Sequence, residues 1–140
     1  MKILLPVDGS KYTRRMLSYI AAHDELLGQA HEYMLFTAVP RLSSRAAQFF
    51  DRGTLDAYYQ DEAQKVLRSA RAFADKQGWT VRSAHAAGHA AEEIAAFAKG
   101  YKPDLIVMGT HGRSALGNVA LGSVASGVLA RCTTPLLFIR

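Results

Sequence analysis

The chain consists of apolar runs separated by stretches in which apolar residues recur at helical spacing. Runs that are apolar almost throughout occupy 2–7, 32–39, 105–108 and 136–139, and a further strand is predicted at 79–86. A continuous apolar strand is typical of burial on both faces, as in the centre of a parallel sheet. The pattern therefore predicts five strands.

The stretches between these strands predict four helices. The first is preceded by Ser10 as an N-cap and stops at Gly28, the second and clearest ends at Gly78, and shorter ones follow at 89–99 and 124–131. Their apolar stripes indicate core packing. The stripes are formed by Met16, Leu17, Ile20 and Leu27; by Tyr59, Ala63, Val66, Leu67, Ala70, Phe73 and Ala74; and by Ile94, Phe97 and Ala98.

Residues 41–54 show no convincing periodicity, which predicts a connection of unusual length. The segment follows the carboxyl end of a strand, the side on which open α/β sheets bind ligands. A lid over a ligand and a merely mobile loop are both compatible with this pattern. Phe49 and Phe50 would dock on the domain or meet a partner.

Strands that alternate with helices predict a single α/β domain spanning 1–140, with right-handed crossovers. We expect an open five-stranded parallel sheet in the order 3-2-1-4-5, with helices on both faces. Strand order then reverses between strands 1 and 4, which opens a ligand crevice at their carboxyl ends. Asp8 follows strand 1 and Gly109 follows strand 4, so both lie at that crevice.

Composition excludes several classes of protein. The 140 residues carry 17 Lys and Arg, but these are scattered without a basic and aromatic stripe, so no nucleic-acid partner is expected. No apolar run approaches the ~20 residues that cross a bilayer, so no membrane partner is expected either. The single cysteine, Cys132, is typical of a reducing cytoplasm. The five histidines show no metal-ligand spacing.

A glycine loop between the fourth strand and the last helix predicts an anion site. Gly109 and Gly112 allow the backbone to approach a ligand, and Gly122 and Ser123 lie where the helix begins. Strand, glycine loop and helix together are typical of a phosphate site. We expect the phosphates to meet the N–H groups of Gly112, Arg113, Gly122, Ser123 and Val124 and the Ser123 hydroxyl. A ligand-free glycine-rich connection is the alternative.

The spacing Gly-x2-Gly-x9-Gly-Ser, with Val-Asp-Gly-Ser near the N-terminus, resembles the universal stress protein family in its ATP-binding branch. Segments 3–10, 104–113 and 134–140 carry the resemblance across nearly the whole chain. It implies a Rossmann-like fold of the adenine nucleotide alpha hydrolase type and an ATP site, with AMP or ADP as alternatives and Mg²⁺ as a possible companion. It also implies that Pro6, Val7 and Val39 line the adenine and ribose pocket, bordered by Met108 and Gly109.

Three side chains near the loop have alternative roles. Ionised Asp8 only accepts hydrogen bonds, which suits a ribose hydroxyl, an adenine amino group or a metal-bound water, but it would also cap the first helix. Arg113 pairs with a phosphate or points to solvent. His111 lies within reach of the phosphates, although nothing near it in sequence orients it as a catalytic base.

Binding is therefore better supported than turnover. The loop lacks the lysine that a P-loop places against the β- and γ-phosphates. We expect an ATP-binding regulatory protein of the stress response, with no catalytic residue assigned. A slow ATPase or other nucleotide-cleaving enzyme, and a dimeric interaction module with a vestigial pocket, are the alternatives.

The last apolar run, 136–139, predicts a homodimer. In the expected order it lies at the edge of the sheet, where its backbone groups are unpaired. A second copy would cover them by antiparallel pairing about a two-fold axis. The resemblance implies the same contact, because many members of the family dimerise through this strand. A monomer with an edge packed on one face is the alternative.

Overall fold

The computed structural model of the chain describes residues 1–113 and 118–140. Its strands are β1 (Lys2–Pro6), β2 (Glu32–Val39), β3 (Thr80–Ala87), β4 (Leu105–Gly109) and β5 (Leu136–Ile139). Its helices are α1 (Lys11–Ala22), α2 (Asp24–Leu27), α3 (Ser44–Ala47), α4 (Arg52–Lys76), α5 (Ala90–Tyr101) and α6 (Ser123–Arg131). No helix in these two ranges is long and apolar enough to cross a membrane.

The five strands form one parallel sheet in the order β3-β2-β1-β4-β5, which confirms the predicted topology. Leu4 at the centre of β1 lies between Met34 of β2 and Ile106 of β4. All three side chains are at most 7% exposed. This double-sided burial is why these strands are apolar without alternation.

Helices cover both faces of the sheet. On one face, apolar residues of α1 and α4 pack against Ile3, Leu5 and Val107. On the other face, apolar residues of α5 and α6 pack against Leu4 and Ile106. Successive strand residues point to opposite faces, so neighbouring residues of β1 belong to different halves of the core.

The first helix is shorter than predicted. It ends at Ala22, and a separate turn, α2, follows it. His23 breaks the helix with φ −121° and ψ 52°, and its N–H donates to Ile20 O at 3.2 Å. Leu27 is nevertheless 1% exposed, because α2 returns it to the core. The apolar spacing correctly predicted which residue is buried and missed the break before it.

The predicted loop at 41–54 contains two helical segments. Helix α3 lies inside it, and α4 begins at Arg52, within the predicted loop rather than after it. The Asp51 side chain caps α4 by accepting from Thr54 N at 2.7 Å. The Tyr59 hydroxyl also accepts from Leu42 N at 3.1 Å, so the start of the connection is tied to α4. The irregular part of the connection is therefore shorter than expected.

Candidate functional site

A cavity of about 710 Å³ opens at the carboxyl ends of β1, β2 and β4. It lies where strand order reverses between β1 and β4, the position at which open α/β sheets bind ligands. All eleven residues predicted for the site line it. They are Pro6, Val7, Asp8, Val39, Met108, Gly109, Gly112, Arg113, Gly122, Ser123 and Val124. Residues 114–117 of the predicted glycine loop lie outside the described part of the chain.

Asp8 connects the two loops that border the cavity. Its Oδ1 accepts from Ser10 N and from Thr13 Oγ1, each at 2.9 Å. Its Oδ2 accepts from Arg113 N at 3.0 Å. The helix-capping role belongs to Ser10, whose Oγ accepts from Tyr12 N at 3.2 Å. Asp8 therefore fixes the turn between β1 and α1 and joins it to the loop after β4.

Arg113 lies across the turn between β1 and α1. A Cβ built on Gly9 would come within 3.1 Å of the Arg113 guanidinium and 3.6 Å of Val66 of α4. The side chain thus extends from the β4 loop towards α4. Its backbone N–H, one of the predicted phosphate donors, already donates to Asp8 in this structure. A phosphate that takes this donor has to displace the carboxylate.

Two glycines of the loop permit close approaches that a side chain would block. A Cβ on Gly109 would lie 2.8 Å from Tyr12 Cβ, and one on Gly112 would lie 2.5 Å from Asp8 Oδ2. Real Cβ atoms do not come this near to other heavy atoms. Gly109 therefore lets α1 pack on the end of β4, and Gly112 lets Asp8 reach Arg113 N.

The N-terminus of α6 faces the same cavity. Gly122 is the N-cap residue, with φ −69° and ψ 167°, and no side chain of the described residues caps this helix end. The first-turn N–H groups of a helix have no intrahelical partner and carry the positive end of its dipole. Ser123 is the first helical residue and its side chain is exposed. This end of α6 can receive an anion.

The His111 ring lies between Thr110, just after β4, and Val119, shortly before α6. Its Nδ1 is 2.9 Å from Thr110 Oγ1, and its Nε2 is 2.6 Å from Val119 O. The ring also lies 5.2 Å from the ring of Tyr12, centroid to centroid. Both ring nitrogens are therefore engaged, which gives His111 no free nitrogen to act as a base.

Other lining residues carry no local motif and were not predicted as site residues. Glu62 and Val66 enter from α4, and Ala90 and Ile94 enter from the start of α5. The apolar stripe of α4 was correctly interpreted as core. Helical spacing does not reveal that Val66 of this stripe also lines the cavity. The remaining additions are Thr13, Phe36, Thr37, Ala38, Pro40, His111, Val119, Leu121 and Ala125.

The predicted lid segment and the cysteine lie away from the cavity lining. Among the described residues that line the cavity, none comes from 41–54, and Phe49 is 77% exposed. A lid function of this segment stays a prediction. Burial raises the pKa of the Cys132 thiol, which makes this thiol less ionised than an exposed one.

This fold and site define an open parallel α/β domain with a ligand crevice at the point where strand order reverses. The universal stress protein family model matches residues 1–140. The chain belongs to this family.

Two relatives illustrate the similarity. A universal stress protein of Thermus aquaticus is 31% identical over 138 residues, which cover 99% of this chain and 97% of the relative. The solved structure of the Methanocaldococcus jannaschii protein MJ0577 is 26% identical with a TM-score of 0.80, covering 99% of this chain and 94% of its own.

Several similar structures contain a nucleotide. A universal stress protein from Archaeoglobus fulgidus in complex with dAMP covers 100% of this chain and 98% of its own, with 20% identity and a TM-score of 0.70. One in complex with cAMP has 21% identity and a TM-score of 0.70, covering 100% and 97%. One from Arabidopsis thaliana with AMP bound has 13% identity and a TM-score of 0.68, covering 99% and 90%. At these identities the likeness shows the fold.

Proposed function

We propose that this chain binds an adenine nucleotide in the cavity and that ATP is the ligand in the cell. The observation that carries the proposal is the convergence of all eleven predicted residues on one cavity that the N-terminus of α6 faces. The dAMP, cAMP and AMP found in proteins of the same fold support the ligand class.

The proposed orientation follows from the chemistry of the lining. The apolar residues at the strand ends, Val7, Val39 and Met108, offer a dry pocket for the adenine ring. Ser123 and Val124 offer backbone N–H groups for the phosphates. The predicted donor Gly122 N already donates to Thr110 O at 2.7 Å, so Gly122 contributes a close approach of the backbone instead. Asp8 keeps acceptor capacity beyond its three hydrogen bonds, since a carboxylate accepts about four, and this remaining capacity suits a ribose hydroxyl.

We propose binding, with regulation of conformation or partner affinity, as the activity. Phosphoryl transfer needs a group that orients the attacking water and groups that neutralise the transition state. His111 has both ring nitrogens engaged, which supports binding over turnover. No cluster of metal-ligating side chains occurs among the described residues, so Mg²⁺ would enter on the phosphates of ATP. Cytoplasmic location and a homodimer through β5 belong to the same proposal.

One experiment separates the alternatives. The pure protein is incubated with labelled ATP, with and without Mg²⁺, and the retained and free nucleotides are then separated. We expect unchanged ATP bound to the protein. Accumulation of ADP or AMP would establish the nucleotide-cleaving enzyme instead. Absence of any retained nucleotide, with the same result for AMP, would leave a dimeric module with a vestigial pocket.

A further inference from the structure

We infer that His111 is a positioning residue of this site: its ring holds the backbone of Val119 and thereby fixes the segment that leads into α6. The inference rests on the proposed function, because the positioned segment is the one proposed to bind phosphate. It assigns His111 a role that requires no contact with the nucleotide.

The hydrogen bonds determine which ring nitrogen carries a proton. A backbone carbonyl only accepts, so Nε2 donates to Val119 O across 2.6 Å. In the neutral ring Nδ1 is then the acceptor, and the Thr110 hydroxyl donates to it across 2.9 Å. The Thr110 side chain is buried at the end of β4. This contact orients the ring, as a fixed partner on one nitrogen generally sets the role of the other.

A second bond acts on the same segment. Gly122 N donates to Thr110 O at 2.7 Å, so 110–111 are joined to 119–122 at two points. Thr110 N in turn donates to Ile139 O at 3.0 Å, which anchors residue 110 to the sheet. Because α6 begins at Ser123, the two bonds fix its N–H groups relative to the ends of β4 and β5.

Side-chain packing does not hold 118–120, although Leu121 next to α6 is partly buried and packs against the core. Asn118, Val119 and Ala120 are all exposed, and the Val119 side chain is 59% exposed. Val119 still contributes to the cavity lining. The ring of His111, supported on its other side by Tyr12, is therefore the feature that places Val119. Loss of this hydrogen bond removes the outer of the two attachments and leaves the bond at Gly122.

The test compares substitutions of His111 whose donor nitrogens lie at different numbers of bonds from Cα. A glutamine amide nitrogen is the same number of bonds from Cα as Nε2, whereas that of asparagine corresponds to Nδ1. We expect His111→Gln to bind ATP and AMP within about 2-fold of the wild type. A neutral hydrogen bond contributes a net ~1 kcal/mol, so His111→Asn and His111→Ala should raise Kd by about 5-fold. His85→Ala, at an exposed position outside the cavity lining, is the matched control.

Two readouts need no nucleotide. Nitrogen chemical shifts of the neutral imidazole in the wild type should show the tautomer protonated at Nε2. Hydrogen exchange of the Gly122 amide should accelerate at least about 3-fold in His111→Ala and remain near the wild-type rate in His111→Gln. The inference is overturned by the tautomer protonated at Nδ1, or by a glutamine variant as impaired as the alanine variant. Absence of nucleotide binding by the wild type would defeat the proposed function, while these readouts still decide the role of His111.

Discussion

Asp8 Oδ2 accepts a hydrogen bond from Arg113 N at 3.0 Å, across 105 positions of sequence. This bond joins the loops that follow β1 and β4, the two strands between which the cavity opens. Oδ1 meanwhile accepts from Ser10 N and Thr13 Oγ1. The Asp8 carboxylate thus sets the distance between the loops after β1 and β4. This role differs from both roles expected from the sequence, a helix cap and a ligand contact.

Replacement of Asp8 by asparagine should weaken both the fold and nucleotide binding. The asparagine oxygen can retain the bonds from Ser10 and Thr13, but its NH₂ group then faces the Arg113 N–H, and two donors meet. A hydrogen bond to a charged group contributes ~1.5–3 kcal/mol, so we expect a loss of that order in the free energy of unfolding. Urea denaturation and calorimetry with ATP measure the two effects.

Asp51→Asn is the matched control for this change. Asp51 caps α4 by accepting from Thr54 N and has no partner on a distant loop among the bonds described. Asparagine caps a helix about as well as aspartate, so stability should change by less than ~0.5 kcal/mol. Equal behaviour of the two asparagine variants would show that the bond between Asp8 and Arg113 contributes nothing beyond local capping.

Much of the fold could be predicted because apolar runs and glycine stops report burial and chain reversal locally. The sheet order followed from five alternations and the handedness of crossovers. The break at His23 could not be predicted, because Ile20 and Leu27 keep helical spacing across it. The start of α4 was missed because Gly53 and the polar residues around it resemble a loop, although Asp51 followed by Thr54 is a capping signal.

The site residues likewise include some that could be predicted from the sequence and some that could not. Strand ends and glycines mark their own positions, so Asp8, Gly112 and Gly122 were predictable. The contribution of Glu62 and Val66 depends on how α4 crosses the sheet, which no local pattern reports. The bond from Asp8 to Arg113 N was likewise hidden, because a side chain that only accepts has many possible donors.

Substitution of Gly122 should impair the phosphate end of the site. Its φ of −69° suits any residue, so the cost is steric alone. A Cβ would lie 3.1 Å from Thr110 O and 3.3 Å from His111 Cα, both backbone atoms that cannot turn away. We expect Gly122→Ala to lose ~1–3 kcal/mol of stability, as overpacked sites do, and Gly122→Val to lose more.

The nucleotide response distinguishes this steric effect from general instability. At about 100 times its Kd, ATP should stabilise the wild type by roughly 2.7 kcal/mol. The Gly122 variants should lose most of this increment in a thermal-shift titration. Gly100→Ala is the control: a Cβ there meets nothing within 4 Å, and alanine in a helix should add ~0.5–1 kcal/mol. A full ATP response in Gly122→Val would remove α6 from the binding site.

Tyr33 should make the fold sensitive to alkali. Burial, and secondarily the charge of Asp24, raises the pKa of the Tyr33 hydroxyl to about 12. In the unfolded chain a tyrosine ionises near pH 10, so between these values only the unfolded state loses the proton. The stabilisation is therefore complete below about pH 10 and decreases by ~1.4 kcal/mol per pH unit until about pH 12.

Tyr33→Phe isolates this contribution. The variant loses the contacts of the hydroxyl with the carbonyls of Leu27 and Gly28, at a cost of ~1 kcal/mol at neutral pH. The wild type should be the more stable protein at pH 8, and its advantage should shrink and then reverse as the pH rises above 10. Urea denaturation at a series of pH values measures the difference. A constant difference across that range would contradict the raised pKa.

The last prediction is the homodimer through β5. This strand is at the edge of the sheet, as expected from the sequence. Pro135 O accepts from Ile106 N of β4, and Ile139 O accepts from Thr110 N just after it. The intervening even-numbered residues, Leu136 and Phe138, therefore direct their backbone groups outward. Leu136, Leu137 and Phe138 are only partly buried. Antiparallel pairing with a second copy would satisfy the backbone groups and cover these side chains.

Basic residues beside β5 should make the predicted dimer depend on salt concentration. Lys11, Arg14, Arg15 and Arg140 line one groove beside β5, and no ion pair among the described residues joins any of them to an acidic side chain. A two-fold axis perpendicular to the sheet brings two such grooves to the same face. Screening extends over ~10 Å at 0.1 M salt, so added salt relieves the repulsion. We expect the dimer to tighten between low and high salt.

Light scattering at micromolar concentration and 0.15 M salt should report a mass near twice 15.3 kDa. Phe138→Asp should give the mass of one chain; because Phe138 also packs against the core beside α5 and α6, circular dichroism must show that the variant is folded. Leu26→Asp, at a position that is 61% exposed on α2, is the control for an added charge and should remain dimeric. If the wild type stays monomeric at both low and high salt, the edge of β5 does not pair with a second copy.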